Sequence, residues 1–209
     1  MIQTLIRRAF ISCIFFAAAP FCQAFEAKHN EAIPAHQTLY ELETKKNIDQ
    51  VLFLMQKRLA LMHEVARTKW SQNLAIEDLP REQQLIDNLS KQAKAYGLDE
   101  AWTRTFFQAQ FDAAKMIQKN DFAIWTQQGQ SKFDSFLDLK QDIRPYLDQL
   151  SKELLEALGK VTPCISNGKL SAFVLAQPIV RRDSDAIDEQ VWQTAILPLT
   201  ISSHGKENG

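Results

Sequence analysis

The feature that most limits what this chain can become is an apolar stripe with cations set into it. From Val51 onward, Val51, Met55, Arg58, Met62, Val65 and Lys69 recur at the alternating three-four spacing of a buried helix face. Arg58 and Lys69 are eleven residues apart. That is about three turns at 3.6 residues per turn, so both leave the helix on one side, roughly 16 Å apart along its axis. A helix that aims two cations at its own core must let them snorkel to the surface or give them an anion to meet.

The neighbouring segments extend the pattern. The spacing predicts a first helix from about Thr38 to Trp70. A second opens in "IEDLPREQQLIDNLSKQAKAYG": Asp78 suits the N-cap, Pro80 the first turn, and Glu82 the positive end of the helix dipole. Its apolar face is Leu85, Ile86, Leu89 and Ala93, and Gly97 suits the C′ stop. A third follows Asp99 to about Trp125, with Phe107, Phe111, Ala114, Gln118, Phe122 and Trp125 in one row. Gln118 is again a polar group in an apolar line. A fourth runs through "DLKQDIRPYLDQLSKELLEALG", with Ile143, Leu147, Leu150, Leu154 and Leu158 on one face. Arg144 sits beside that face, just before Pro145, where a helix start or kink is expected. Beyond Val161 the pattern is looser. "LSAFVLAQPIV" reads as strand or helix, "DEQVWQTAIL" as a short last helix, and the final residues as disordered.

The N-terminus carries a different message. Arg7 and Arg8 precede the apolar run "AFISCIFFAAA", followed by Pro20 and "FCQA". This is the pattern of a secretory signal, cleaved after Ala24, and too short for a stable membrane span. Losing it takes Lys+Arg from 24 to 22 against 25 Asp+Glu, a net charge near −3. No basic excess remains to attract nucleic acid or an anionic membrane. Cys13 and Cys22 leave with the signal, so the mature chain holds one cysteine, Cys164, and must be held by packing. A buried, inert Cys164 is the simplest expectation. The four histidines (His29, His36, His63, His204) are scattered, and HExxH, CxxC, GxSxG and phosphate-binding glycine loops are absent. Neither a metal nor a cofactor is expected.

The polar residues on core faces therefore form a set: Arg58, Lys69, Arg81 near a helix start, Gln118 and Arg144. Each alone could be a long side chain at the edge of a core. Together, on helices that must pack, four cations and an amide suit the wall of a polar pocket for an anion with more than one negative group. Arginine binds carboxylates bidentately, lysine and glutamine donate to neutral oxygens, and Asp78 and Glu82 can accept from a hydroxyl.

In order and spacing, "RLALMHEVARTKW", "IEDLPREQQ", "FFQAQFDAAKMIQ" and "DLKQDIRPYLDQL" resemble the secreted, all-helical chorismate mutases of the AroQ type, gamma subclass. The resemblance covers roughly residues 39 to 158, with a weaker echo at "VWQTAILPL". It implies a single-domain, all-α helical bundle with a long N-terminal helix. The domain would span residues 38–160, after a flexible segment 25–37 and before a C-terminal extension 161–209 packed on it. The implied activity is an isomerase step of aromatic amino acid biosynthesis, chorismate to prephenate by a pericyclic shift, with no cofactor. Arg58, Lys69, Glu82 and Gln118 would be catalytic. Arg58 and Arg144 would grip substrate carboxylates, Lys69 would bridge a carboxylate and the breaking ether oxygen, and Gln118 would donate to that oxygen. Glu82 with Asp78 would hold the ring hydroxyl, and Arg81 would support the pocket. A homodimer in the periplasm or outside the cell is implied as well. Three departures stand out, one of them that the segment after Val161 matches the family poorly. Ala114 lies where the family usually carries a hydroxyl near a carboxylate, and Cys164 has no second cysteine where some members close a disulfide. Loss of that hydroxyl is the one feature favouring the alternative, an exported helical binding module without catalysis.

Overall fold

The computed structural model describes residues 35–166, 169–176 and 187–201. The expected signal (1–24) and the terminal tail (202–209) lie outside them, and the expected flexible segment 25–37 is described only from residue 35, where a helix has begun. By its contacts the chain divides into Met1–Thr38 and Leu39–Gly209; the fold set out here is that of the second unit. The described residues form helices and connectors, with no strand, as an all-α bundle requires. None of these helices is long and apolar enough to cross a membrane.

Helix α1 spans Ala35–Ala60 and α2 spans Met62–Ser71. They nearly form the single long helix predicted. At the join, Leu61 keeps a right-handed helical backbone (φ −68°, ψ −14°), and its N–H still donates to the Lys57 carbonyl while its own carbonyl accepts from Val65 N. Helix α3 spans Leu79–Gln92. Its N-cap Asp78 accepts from Arg81 N through its side chain, and a 3₁₀ turn (Ala93–Tyr96) carries it to Gly97 at φ 71°, a left-handed stop that glycine adopts without a Cβ penalty. Helix α4, Glu100–Gln128, starts at the Asp99 cap and stops at the left-handed Gly129. A π-helical turn, Leu139–Ile143, then leads into α5, Arg144–Ser166. Helix α5 passes Val161 without a break, so residues 161–166 continue the fourth helix rather than open a separate extension. The ambiguous "LSAFVLA" is helix α6, Lys169–Ala176, and the last helix, α7, is Glu189–Thr200.

The core is shared by all these elements. Ile48, Val51, Met55 and Leu59 of α1 meet Phe106 and Phe107 of α4 and Leu150, Leu154, Leu155 and Leu158 of α5 in one buried cluster. Helix α7 lies along α4. Its Val191, Trp192, Ala195, Ile196 and Leu199 are buried, and Gln110 Nε2 donates to the Ala195 carbonyl across the join at 2.8 Å. Cys164 is buried.

Candidate active site

Four walls enclose one cavity of about 420 Å³, a volume suited to a small-molecule ligand. The join of α1 and α2 supplies Arg58, Met62, Val65 and Lys69. The first turns of α3 supply Asp78, Arg81, Glu82 and Leu85. Helix α4 supplies Phe111, Ala114, Lys115 and Gln118, and the π turn with the start of α5 supplies Leu139, Ile143, Arg144, Leu147, Asp148 and Ser151. All eight residues singled out from the sequence, Arg58, Lys69, Asp78, Arg81, Glu82, Ala114, Gln118 and Arg144, line this one cavity.

Arg58 is the most deeply set cation, 5% exposed. Its Nη1 donates to Ser151 Oγ at 2.9 Å, its guanidinium lies 5.2 Å from the centroid of the Phe111 ring, and its Nε is buried with no hydrogen-bond partner. Burial pulls its pKa down to about 10, with Asp148 opposing the shift. The group remains charged at neutral pH, with a donor to spare. Lys69 points from α2 towards the start of α3, where its Nζ donates to the Ile76 carbonyl at 2.6 Å. Burial lowers its pKa, Glu82 and Asp78 oppose that, and Arg144 adds to it. An anion in the cavity would relieve both costs.

The start of α3 is a reciprocal capping box. Asp78 Oδ1 accepts from Arg81 N, and Glu82 Oε1 accepts from Asp78 N, each at 3.4 Å. The same two acids that start the helix therefore face the cavity. Gln118, 4% exposed, gives its amide Nε2 to the Ala114 carbonyl at 3.1 Å and lies 3.9 Å from Met62 Sδ; its Oε1 is buried without a partner. The amide nitrogen carries two N–H donors, one on the Ala114 carbonyl and the other against only the weak acceptor Met62 Sδ, so the second is available to a ligand oxygen.

Sequence reasoning passed over Lys115, Asp148 and Ser151. Lys115 reads as an ordinary charge beside the α4 stripe. Ser151 follows Leu147 by four residues and so shares its face, a signal that was there to find. Among the described residues no group of His, Cys, Asp and Glu is arranged to hold a metal ion. The wall offers no activated nucleophile either. It offers cations from four directions, amides and the three carboxylates Asp78, Glu82 and Asp148, a set that can bind and orient an anion and stabilise charge as it develops.

Residues 46–119 match the family model for chorismate mutase type II. The monofunctional chorismate mutase of Enterobacter agglomerans is 32% identical over 108 residues, which is 51% of this chain and 58% of that protein. The secreted chorismate mutase of Yersinia pestis is likewise 32% identical, over 51% of this chain and 56% of its own. The chain thus spans little more than half the length of these curated relatives. The crystal structure of chorismate mutase from Burkholderia thailandensis superposes with a TM-score of 0.63 and 32% identity, over 73% of this chain and 98% of that one. The chain belongs to the chorismate mutase family. The match over 46–119 holds Arg58, Lys69, Asp78, Arg81, Glu82, Ala114 and Gln118; Arg144 lies beyond it, inside the cavity described above.

Proposed function

We propose that this protein rearranges chorismate to prephenate and does so within the cavity between α1/α2, α3, α4 and α5. The observation that carries this is the convergence of Arg58, Lys69, Arg81 and Arg144 with Gln118 and Glu82 on one space of about 420 Å³. A unimolecular rearrangement asks for no nucleophile, metal or redox group. It asks that a flexible dianion be held in its compact reactive shape and that charge on the breaking ether be met. Arg58 and Arg144 take the two carboxylates. Lys69 reaches from a carboxylate to the ether oxygen, and Gln118 donates the second N–H of its amide to that oxygen. Glu82, beside Asp78, accepts from the ring hydroxyl, and Arg81 adds positive charge at the α3 start.

The protein acts outside the cytoplasm as residues 25–209, in the periplasm or beyond. The signal pattern at its N-terminus and the secreted relative in Yersinia pestis support this. By its resemblance to the family it works as a homodimer; that each site is built within one chain is supported by one protomer supplying all four walls.

The test is loss of chorismate absorbance with purified residues 25–209, wild type beside Lys69→Ala. We expect turnover by wild type and a loss of at least a hundredfold in kcat/KM in the variant. A folded wild type that leaves chorismate unchanged would return the weight to a binding module.

A further inference from the structure

Lys115 stands in the cavity wall one residue after Ala114. Its Nζ lies 3.1 Å from Glu82 Oε2 and 3.1 Å from Asp112 Oδ1. The Lys115 and Glu82 side chains are 16% and 13% exposed, whereas Asp112 is 46% exposed. The pair with Glu82 is therefore the inner and less screened of the two. Burial pulls the Lys115 pKa down, but its hydrogen bonds to Glu82 and Asp112 and the charge of both acids outweigh it, and the net direction is up. Lys115 stays charged. With Asp78 N on its other oxygen, Glu82 is held at both ends of its carboxylate. The other charges about it are Asp78 and Arg81 on α3, Lys69 on α2, Asp112 on α4 and Arg144 at the start of α5.

A carboxylate in the wall of a site for a dianion poses a problem. It is wanted as a hydroxyl acceptor, yet its charge repels the ligand it serves. We propose that Lys115 is the positioning residue that solves this, neutralising Glu82 and fixing its carboxylate against the cavity wall so that it accepts from the substrate hydroxyl without repelling the substrate carboxylates. The inference rests on the chorismate reading above. Lys115 acts through Glu82 and makes no contact with the reacting bonds.

The test is a double-mutant cycle read in KM and kcat with chorismate. Lys115→Met raises KM about tenfold, the scale expected for stranding one member of a partly buried charge pair, while kcat falls by less than about threefold. Lys115→Arg keeps KM within about threefold of wild type. Glu82→Gln weakens the wild type, but in the Lys115→Met background it lowers KM, because it removes the uncompensated negative charge. Lys119→Met removes a nearby cation that pairs with Glu77 outside the cavity, and leaves KM within about twofold. If Lys115→Met melts below the assay temperature, Lys115→Gln is put through the same cycle. An active wild type in which the Lys115 and Glu82 costs simply multiply, or in which Lys115→Met keeps the wild-type KM, overturns the role of Lys115 alone. A folded wild type without turnover overturns both readings.

Discussion

Gln118 and Lys69 fix the pH behaviour expected of this site, one by what it cannot do and the other by where it sits. An amide has no proton to lose near neutrality, so a contact from Gln118 to the ether oxygen works equally at acid and neutral pH. Lys69 must be protonated to act, and burial lowers its pKa from the ordinary 10.5, only partly offset by Glu82 and Asp78. The lowered value means the charge is lost as pH rises, and lost earlier than on a free lysine. Wild-type kcat/KM should therefore run flat through neutral pH and fall on the alkaline side below the usual lysine range. Gln118→Glu should turn the flat region into a slope, because a glutamic acid donates only while protonated. A pH profile of both proteins checks this, and equal rates at neutral pH would remove Gln118 from the ether oxygen. These residues were legible in the sequence because each interrupts an apolar row. The Gln118 bond to the Ala114 carbonyl was not legible, since it depends on a rotamer.

At the scale of elements, α2 does two jobs with alternate residues. Lys69 faces the cavity, while its neighbours grip the connector between α4 and α5. Thr68, fully buried, donates to the Leu137 carbonyl at 2.7 Å. Trp70 Nε1 donates to the Ser131 carbonyl, Ser71 Oγ accepts from Phe133 N, and the Arg67 guanidinium lies 4.5 Å from the centroid of the Phe133 ring. Leu137 leads directly into Asp138, whose side chain caps the π turn through Lys140 N and Gln141 N. The end of that turn sets the start of α5 and hence Arg144. Thr68→Val keeps the shape but strands the Leu137 carbonyl, a loss of about 1–3 kcal/mol. It should raise KM for chorismate about five- to tenfold through a misplaced Arg144, and add nothing in an Arg144→Ala background. Thr68→Ser should restore KM. Steady-state kinetics on the four proteins decide it, and an undiminished Thr68→Val penalty in the Arg144→Ala background would show that Thr68 does not act through Arg144. The helices themselves were readable from their ends, at Asp78, Asp99 and Gly97, because caps are local chemistry. The clasp was not: Thr68 and Leu137 are 69 residues apart, and no periodicity reports a contact that distant. The seating of α7 on α4 through Gln110 escaped for the same reason.

For the whole molecule the cavity is a cost borne by the fold. The stripe from Val51 to Lys69 would make a better core if it were apolar throughout, and the clearest measure of that is Arg58. Its pKa falls from the ordinary arginine value to about 10 because folding takes the charge out of water. A base whose folded pKa is lowered destabilises the fold at every pH where it stays protonated, and regains that stability only as pH rises between the two values. Here that window opens only at about 10 and runs up to the ordinary arginine value, so substitution is the better probe than pH. The shift corresponds to roughly 3 kcal/mol against folding, from which the Ser151 hydrogen bond and the Phe111 contact must be subtracted. Arg58→Met fills the same space with an apolar chain, and Ser151 Oγ still donates to the Leu147 carbonyl, so no new group is stranded. We expect a gain of about 1–3 kcal/mol, or several degrees in Tm, together with loss of chorismate turnover. Calorimetry beside the absorbance assay reads both at once. A variant that is inactive and also melts lower would make Arg58 a structural cross-link between α1 and α5, and would say that the cavity is less a binding site than a hydrated fault in the core. A variant that is inactive and melts higher leaves one explanation for an arginine in that place, which is that it is kept there for a ligand.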